Sequence, residues 1–144
     1  MPIKNELTEQ ECNRLAADAR AARGNAYAPY SHYAVGAALQ TAGGKVYTGA
    51  NVENASYPVG LCAERVALFS AAAAGERKFR ALAVVTEEGA APCGACRQAL
   101  VEFGRELEVI LADNKGRIHR VTTLEELLPM AFGPDHAAKS DNPR

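Results

Sequence analysis

The chain of 144 residues contains no tryptophan, few aromatic residues and no long apolar run. Its longest apolar stretch, residues 66–74, is interrupted by Ser70 and is far shorter than the about 20 residues that cross a bilayer. The first residues also lack an apolar core of signal-peptide length. These absences predict a cytoplasmic protein that makes no contact with a membrane.

The chain also lacks an excess of charge of either sign. Sixteen Lys and Arg residues face seventeen Asp and Glu residues, so the net charge is −1 at pH 7. This balance argues against a nucleic-acid partner, because such proteins usually present a broad basic face. Hydrophobic residues make up 48% and charged residues 23%, which is typical of a globular protein and excludes global disorder. We expect a single domain over residues 1–144, with a polar tail from about residue 137.

Cysteine is scarce, with four residues in the chain. Thiols stay reduced in the cytoplasm, so these cysteines are better interpreted as metal ligands or catalytic groups than as disulfides. Cys12 is predicted to be a buried thiol on a helix. The other three cysteines belong to a specific pattern described below.

Helical and strand patterns alternate along the chain and predict an α/β fold in which helices cover both faces of one mixed five-stranded sheet. The first helix begins with a capping box formed by Thr8 and Glu11, and Gly24 ends it. The remaining predicted helices are residues 62–74, residues 93–103 and a short helix that starts at Thr123. The predicted strands are residues 34–41, 45–50, 79–86, 107–112 and 117–121.

Three of the cysteines are predicted at the beginnings of two helices. Cys62 opens one helix, while Cys93 and Cys96 open the next, directly after Pro92. Helix N-termini carry partial positive charge, which lowers the pKa of a thiol and favours thiolate ligands. Cys93 and Cys96 are three residues apart, so they share one helix face and can bind one ion. Three thiolates without a fourth candidate ligand indicate a catalytic zinc site with an open coordination position.

Glu64 and Arg65 follow the first cysteine closely. Glu64 lies two residues after Cys62, so it is better placed to flank the metal as a proton shuttle than to bind it. Zinc with three thiolates carries a net charge of −1, which works against ionisation of a bound water. Arg65 lies on the same helix face as Cys62 and is predicted to donate hydrogen bonds to the thiolates. Three other interpretations remain open: a non-catalytic zinc module, a disulfide between Cys93 and Cys96, and an exposed helix arginine at position 65.

These motifs resemble those of a known family. Cys-Ala-Glu at 62–64, followed by Pro-Cys-Gly-Ala-Cys at 92–96, is similar to the zinc deaminase signature in its three-cysteine form. Four further segments resemble the small homotetrameric cytidine deaminases, namely residues 27–31, 35–39, 51–57 and 127–133. The resemblance extends from about residue 26 to 133. It implies a three-layer α/β/α cytidine deaminase-like fold, one zinc ion per subunit, a small-molecule nucleoside substrate and a homotetramer.

The resemblance also implies roles for individual residues. The metal ligands are Cys62, Cys93 and Cys96, and the general acid and base is Glu64. The residues that contact substrate are Asn51 and Glu53 at the ribose 3′-hydroxyl, Tyr33 against the pyrimidine ring, and the backbone around Ala63 at the reacting carbon. An amide and a carboxylate together suit a hydroxyl, which both donates and accepts hydrogen bonds. Phe132 and Tyr57 are implied to contact the site of a neighbouring subunit.

The activity that this resemblance implies is hydrolytic deamination of cytidine and 2′-deoxycytidine, with release of ammonia, in pyrimidine salvage. The alternatives are a deaminase of another cytosine-containing nucleoside or antibiotic, a polynucleotide-editing deaminase and a non-catalytic zinc module. Tyr33 stands where many relatives have Phe, so its hydroxyl needs a partner. Arg97 and Gln98 follow a predicted ligand directly and are either part of the site's surroundings or solvated.

Overall fold

A computed structural model describes residues 7–137, with side chains up to Asp135. Most of the predicted polar tail, residues 138–144, lies outside this range. No helix within the described range is long and apolar enough to cross a membrane. The elements in chain order are α1 (Glu9–Arg23), β1 (Gly36–Thr41), β2 (Val46–Ala50), a 3-10 helix (Tyr57–Val59), α2 (Ala63–Ala73), β3 (Phe79–Thr86), α3 (Gly94–Val101), β4 (Glu108–Asp113), β5 (Ile118–Thr123), α4 (Leu124–Leu127) and α5 (Pro134–Ala137).

The five strands form one sheet in the order β2-β1-β3-β4-β5. Strands β3 and β4 are parallel, and the other three neighbouring pairs are antiparallel. Side chains alternate between the two faces along each strand, as the pleat requires. In β3, Leu82 and Val84 pack with α2 and α3, whereas Ala81 and Ala83 pack with α1. The predicted three-layer fold with a mixed five-stranded sheet is therefore confirmed.

Helix α2 lies unusually close to the sheet at Gly49 on β2. A Cβ atom at Gly49 would lie 2.4 Å from the carbonyl oxygen of Ala63 and 2.6 Å from the amide nitrogen of Ala67. Any larger residue at this position would push the first turn of α2 away from the sheet. The missing side chain therefore determines where the residues that open α2 are placed.

Most predicted helix boundaries agree with the structure. Thr8 is the N-cap of α1, and both hydrogen bonds of the capping box with Glu11 are present. The prediction that the third helix continues to residue 103 is wrong, because α3 ends at Val101. Tight turns close its end, since the amide of Phe103 donates to the carbonyl of Leu100. The Phe103 ring then packs edge-on against Phe79, with ring centroids 5.5 Å apart.

The segment between β2 and α2 contains one short 3-10 helix. Isolated β-bridges tie Val52 to Tyr27 on one side and to Leu61 on the other. These backbone contacts hold residues 51–53 beside the beginning of α2. The polar side chains of this segment therefore lie near the predicted metal ligands.

Candidate metal centre and substrate cavity

The three cysteines predicted as ligands come together at the beginnings of α2 and α3. Cys62 and Cys93 are the N-cap residues of the two helices, and Cys96 lies in the first turn of α3. The Sγ atoms are 3.9 Å apart for Cys62 and Cys93 and 3.5 Å apart for Cys93 and Cys96. All three sulfur atoms lie within 4.8 Å of one another. The alternative of a disulfide between Cys93 and Cys96 is wrong, because both thiols are free and a disulfide needs about 2.05 Å.

The chemistry of this cluster suits zinc. A hydrogen bond from the Cys96 thiol, with help from Arg65, lowers the pKa of Cys62 to about 5 against the opposing effect of burial. The neighbouring sulfur of Cys62 and burial raise the pKa of Cys96. Soft thiolate ligands favour zinc, and binding of the metal replaces the thiol protons. Among the residues that the structure describes, the cluster consists of these three ligands, one fewer than a closed structural zinc site has.

Glu64 lies in the first turn of α2 with only 4% of its surface exposed. Burial raises the pKa of its carboxyl group, partly opposed by a hydrogen bond from the Cys96 thiol. The contact with Cys96 places the carboxyl directly beside the sulfur cluster. A buried carboxyl that holds its proton more strongly than usual is suited to proton transfer near neutral pH.

Arg65 contacts the cluster, as the sequence predicted. Its Nη2 donates a hydrogen bond to Sγ of Cys62 over 3.5 Å. The same hydrogen bond raises the pKa of Arg65, so the guanidinium stays charged. Its Nε is buried without a hydrogen-bond partner in the described part of the chain. The alternative of a freely exposed helix arginine does not fit these contacts.

A cavity of about 500 Å³ opens beside Cys62 and Arg65. This volume lies within the usual range of small-molecule sites. Asn51 and Glu53 line the same cavity, so the two residues predicted to bind ribose lie next to the predicted metal ligand. The other lining residues come from neighbouring loops and are Tyr30, Ser31, Val52, Asn54, Tyr57, Gly60 and Leu61.

The Asn51 side chain is held by the backbone at both ends. Its Oδ1 accepts from the amide of Val35 over 2.9 Å, and its Nδ2 donates to the carbonyl of Tyr33 over 2.8 Å. An amide group has two N–H donors and two acceptor lone pairs, so one of each remains for another partner. Asn51 therefore positions the loop around Tyr33 and still has hydrogen-bonding capacity toward the cavity.

The Glu53 carboxylate is also fixed in place. Its Oε1 accepts from the amides of Tyr30 and Ser31 over 3.0 Å each, and its Oε2 accepts from the Ser31 hydroxyl. The hydrogen bonds from the hydroxyl and amide of Ser31 lower the pKa of Glu53. The group is therefore ionised at neutral pH and available as a hydrogen-bond acceptor.

The remaining predicted residues lie at different depths around the site. Ala63 is fully buried as the first residue of α2, beside Glu64. Tyr57 is 76% exposed, and its ring meets that of Tyr30 edge-on with centroids 6.1 Å apart. Phe132 is 61% exposed and does not line the cavity of this chain. Tyr33 does not line that cavity either, although its carbonyl is bound by Asn51.

Two residues that the sequence left open connect α3 with the end of α4 and with the chain beyond it. Arg97 donates from Nε to the carbonyl of Pro92 over 2.8 Å and from Nη1 to the carbonyl of Leu127 over 2.6 Å. Gln98 donates from Nε2 to the carbonyl of Phe132 over 2.8 Å. Their position directly after Cys96 was the signal in the sequence, but the carbonyls of Leu127 and Phe132 lie 30 and 34 residues away from them along the chain.

A third residue, Glu88, was missed by the sequence analysis. Its carboxylate accepts a hydrogen bond from the Tyr33 hydroxyl. The need of that hydroxyl for a partner was the only signal, and it did not identify which residue would supply one.

Comparisons with known proteins agree with this site. The family model for the cytidine and deoxycytidylate deaminase zinc-binding region matches residues 9–112. The cytidine deaminase of Sporosarcina psychrophila is 46% identical over 128 residues, which cover 87% of this chain and 93% of that protein.

Solved structures give the same result. The structure of the cytidine deaminase from Burkholderia pseudomallei has a TM-score of 0.80 and 54% identity, covering 88% of this chain and all of that one. That of the cytidine deaminase from Mycobacterium tuberculosis has a TM-score of 0.76 and 41% identity, covering 88% and 99%. The chain therefore belongs to the cytidine and deoxycytidylate deaminase family, and its cofactor is zinc.

Proposed function

We propose that this chain is a cytidine deaminase that hydrolyses cytidine and 2′-deoxycytidine to uridine and 2′-deoxyuridine with release of ammonia. The observation that carries the proposal is the meeting of three groups at one place. These are the cysteine cluster, the buried carboxyl of Glu64 and the cavity lined by Asn51 and Glu53. The similar proteins named above are cytidine deaminases, which supports the same substrate.

In this proposal Cys62, Cys93 and Cys96 hold one zinc ion per subunit. When bound, zinc lowers the pKa of a coordinated water and so makes a nucleophile available at neutral pH. The Arg65 guanidinium hydrogen-bonds to Cys62 and withdraws charge from the ligand set. The helix N-termini at Cys62 and Cys93 act in the same direction.

Glu64 carries the proton transfers. Its carboxylate takes a proton from the attacking water and delivers it to N3 of the pyrimidine while the C4–O bond forms. The Glu64 carboxylate then takes the remaining proton from the C4 hydroxyl and delivers it to the exocyclic amine, so that the C4–N bond breaks, the C4 carbonyl forms and ammonia leaves. Backbone groups around Ala63 flank the reacting carbon. The raised pKa of Glu64 fits both directions of transfer.

Asn51 and Glu53 are proposed to bind the ribose 3′-hydroxyl. The unused N–H of Asn51 donates to the hydroxyl oxygen, and the Glu53 carboxylate accepts the hydroxyl proton. Both side chains are already held by backbone hydrogen bonds, so little conformational entropy is lost on binding. The Tyr33 ring packs against the pyrimidine. A ribose-binding pair favours a nucleoside over an antibiotic substrate, and the net charge of −1 disfavours a polynucleotide.

The proposed assembly is a homotetramer in which Phe132 and Tyr57 reach the site of a neighbouring subunit. Phe132, Tyr57 and Met130 expose 61%, 76% and 98% of their surface, which is typical of residues that a partner covers. We further propose that residues 1–144 act as a single domain, in the cytoplasm and in pyrimidine salvage.

The experiment that tests the function is a direct assay. Purified protein is mixed with cytidine, and ultraviolet absorbance and ammonia are followed before metal removal, after chelation and after zinc is returned. We expect conversion to uridine that stops with chelation and recovers with zinc. No conversion by folded, zinc-loaded protein would refute cytidine as the substrate. Turnover of another cytosine compound in the same assay would then identify a different member of the family.

A further inference from the structure

The Tyr33 hydroxyl is linked to a carboxylate 55 residues away along the chain. It donates a hydrogen bond to Oε1 of Glu88, which lies in the loop between β3 and α3. The same loop leads through Pro92 into Cys93, the N-cap of α3. The pair therefore joins the segment that presents Tyr33 to the segment that presents a metal ligand.

The loop has a defined path that places Glu88 at this position. The Thr86 hydroxyl accepts hydrogen bonds from the amides of Gly89 over 2.9 Å and Ala90 over 2.7 Å. Gly89 adopts a φ of +83°, and a Cβ atom there would lie 2.8 Å from the His119 ring. Only glycine fits both the backbone angle and the space. The backbone of the turn at residues 86–90 is thus fixed by specific contacts, and the Glu88 carboxylate reaches Tyr33 from this turn.

The Tyr33 ring depends on such an anchor because packing alone does not hold it. The residue is 37% exposed, so it is only partly enclosed by its neighbours. Its backbone is fixed by Ser31, whose Oγ accepts from the Tyr33 amide over 3.0 Å, and by Asn51 at the carbonyl. The hydroxyl is the other end of the side chain. A hydrogen bond there fixes the ring at both ends.

The charges around the pair agree with a hydrogen-bonded hydroxyl. Burial and the hydrogen bond to Glu88 raise the pKa of Tyr33, so the hydroxyl keeps its proton and remains a donor. The Thr86 side chain opposes this shift through a hydrogen bond to the same hydroxyl. Tyr33 is therefore connected to Thr86, the first residue of the turn, and to Glu88 within it.

We infer that Glu88 is a positioning residue for the substrate base: it holds the Tyr33 ring in the orientation that packs against the pyrimidine. This inference rests on the proposed function, because it assigns Tyr33 to the base. A ring that is already oriented binds its ligand without the entropic cost of ordering. Removal of Glu88 should therefore weaken substrate binding and leave the proton transfers by Glu64 intact.

The test is a double-mutant cycle with Tyr33→Phe and Glu88→Ala, read as KM and kcat for cytidine. We expect Glu88→Ala to raise KM about threefold to tenfold, the range for loss of one hydrogen bond, with kcat changed by less than about twofold. In the Tyr33→Phe background the same change should have no further effect. Glu88→Gln should restore the wild-type KM, because its amide oxygen accepts the same hydrogen bond. Glu87→Ala is the matched control, since Glu87 is exposed and has no hydrogen bond or ion pair within residues 7–137.

A second cycle with the same variants measures the free energy of unfolding in urea without substrate. It reports whether the pair forms even if the proposed substrate is wrong. Absence of coupling between the two residues in unfolding overturns the pair itself. If the two residues are coupled in unfolding but Glu88→Ala leaves KM unchanged, the positioning role is overturned. It is also overturned if Glu88→Ala raises KM as much in the Tyr33→Phe background as in the wild type. If the wild-type protein is inactive on cytidine while Tyr33 and Glu88 are coupled in unfolding, the proposed substrate and the role of the pair in binding its base are refuted. The hydrogen-bonded pair itself is then still supported.

Discussion

Replacement of Glu64 by Gln tests the proposed proton shuttle most directly. Gln has nearly the same shape as Glu, and the site is 96% buried, so the side chain should occupy the same space without creating a cavity. The substitution removes the titrating proton and retains the ability to hydrogen-bond to Cys96. The change therefore acts on the proton transfers and hardly at all on packing.

The size of the effect follows from the number of transfers that Glu64 performs. A positioned general acid or base contributes about 10²- to 10⁴-fold to the rate. The same carboxyl group serves the attacking water, N3 and the leaving amine, and no other described carboxyl group contacts the sulfur cluster. We therefore expect kcat to fall by about 10⁴-fold, toward the upper end of that range. KM should change little, because the proton transfers by Glu64 stabilise the transition state, whereas Asn51 and Glu53 bind the ribose of the substrate.

The assay follows the absorbance change of cytidine, and zinc content is measured on the same sample by atomic absorption. Glu87→Gln is the matched control at an exposed carboxylate, and it should retain wild-type activity. Glu64→Asp shortens the side chain by one methylene, and its kcat should lie between those of the wild type and Glu64→Gln. A Glu64→Gln protein with full zinc content and a kcat within about tenfold of wild type would refute the shuttle, because that loss is below the range for a general acid or base.

Three further predictions concern the cavity, the charges and the assembly. Asn51→Ala removes the hydrogen bonds to the amide of Val35 and the carbonyl of Tyr33, so it should raise KM and lower the free energy of unfolding by about 1–3 kcal/mol in urea titrations. A change in KM with unaltered stability would contradict the role of Asn51 in both the fold and substrate binding. Hydrogen bonding to His119 lowers the pKa of Asp113 to about 2. The pair therefore stabilises the fold at pH values above the pKa of this aspartate in the unfolded chain, about 4, and the stabilisation is lost as the pH falls from about 4 toward 2. Asp113→Asn should accordingly destabilise the protein at pH 6 and have a smaller effect at pH 2, measured as urea midpoints, and equal effects at both values would exclude this linkage. Phe132→Ala should shift light-scattering mass from tetramer toward smaller species and lower kcat/KM, since Phe132 is 61% exposed on one chain and is proposed to reach the site of a neighbouring subunit. An unchanged mass and unchanged kinetics would rule out the proposed contact between subunits.

The metal cluster could be predicted from the sequence because its geometry is local. Cys93 and Cys96 share one helical turn, and Cys62 and Glu64 open another helix. Helix starts are marked by short-range signals in the sequence. In an α/β fold the helices that follow neighbouring strands begin at the same edge of the sheet, so their first residues lie close together. The five strands were likewise predicted, because apolar runs and the turn residues between them are also short-range signals.

Long-range hydrogen bonds could not be predicted in the same way. The partner of the Tyr33 hydroxyl is Glu88, and Arg97 donates to the carbonyl of Leu127 at the end of α4. Each pair depends on the path of a loop, which no periodic pattern encodes. The early end of α3 at Val101 has a similar cause, because Phe103 leaves the helix to pack against Phe79.

The sequence by itself thus determined the α/β fold, the three cysteines and the carboxyl group beside them. These follow from periodicity, capping and motif spacing, all of which act over a few residues. The tertiary structure decided that Asn51 holds the backbone around Tyr33, that Glu53 is bound by Ser31, and that Glu88 reaches Tyr33. These contacts join segments that only the packing of loops against one sheet edge brings within hydrogen-bonding distance.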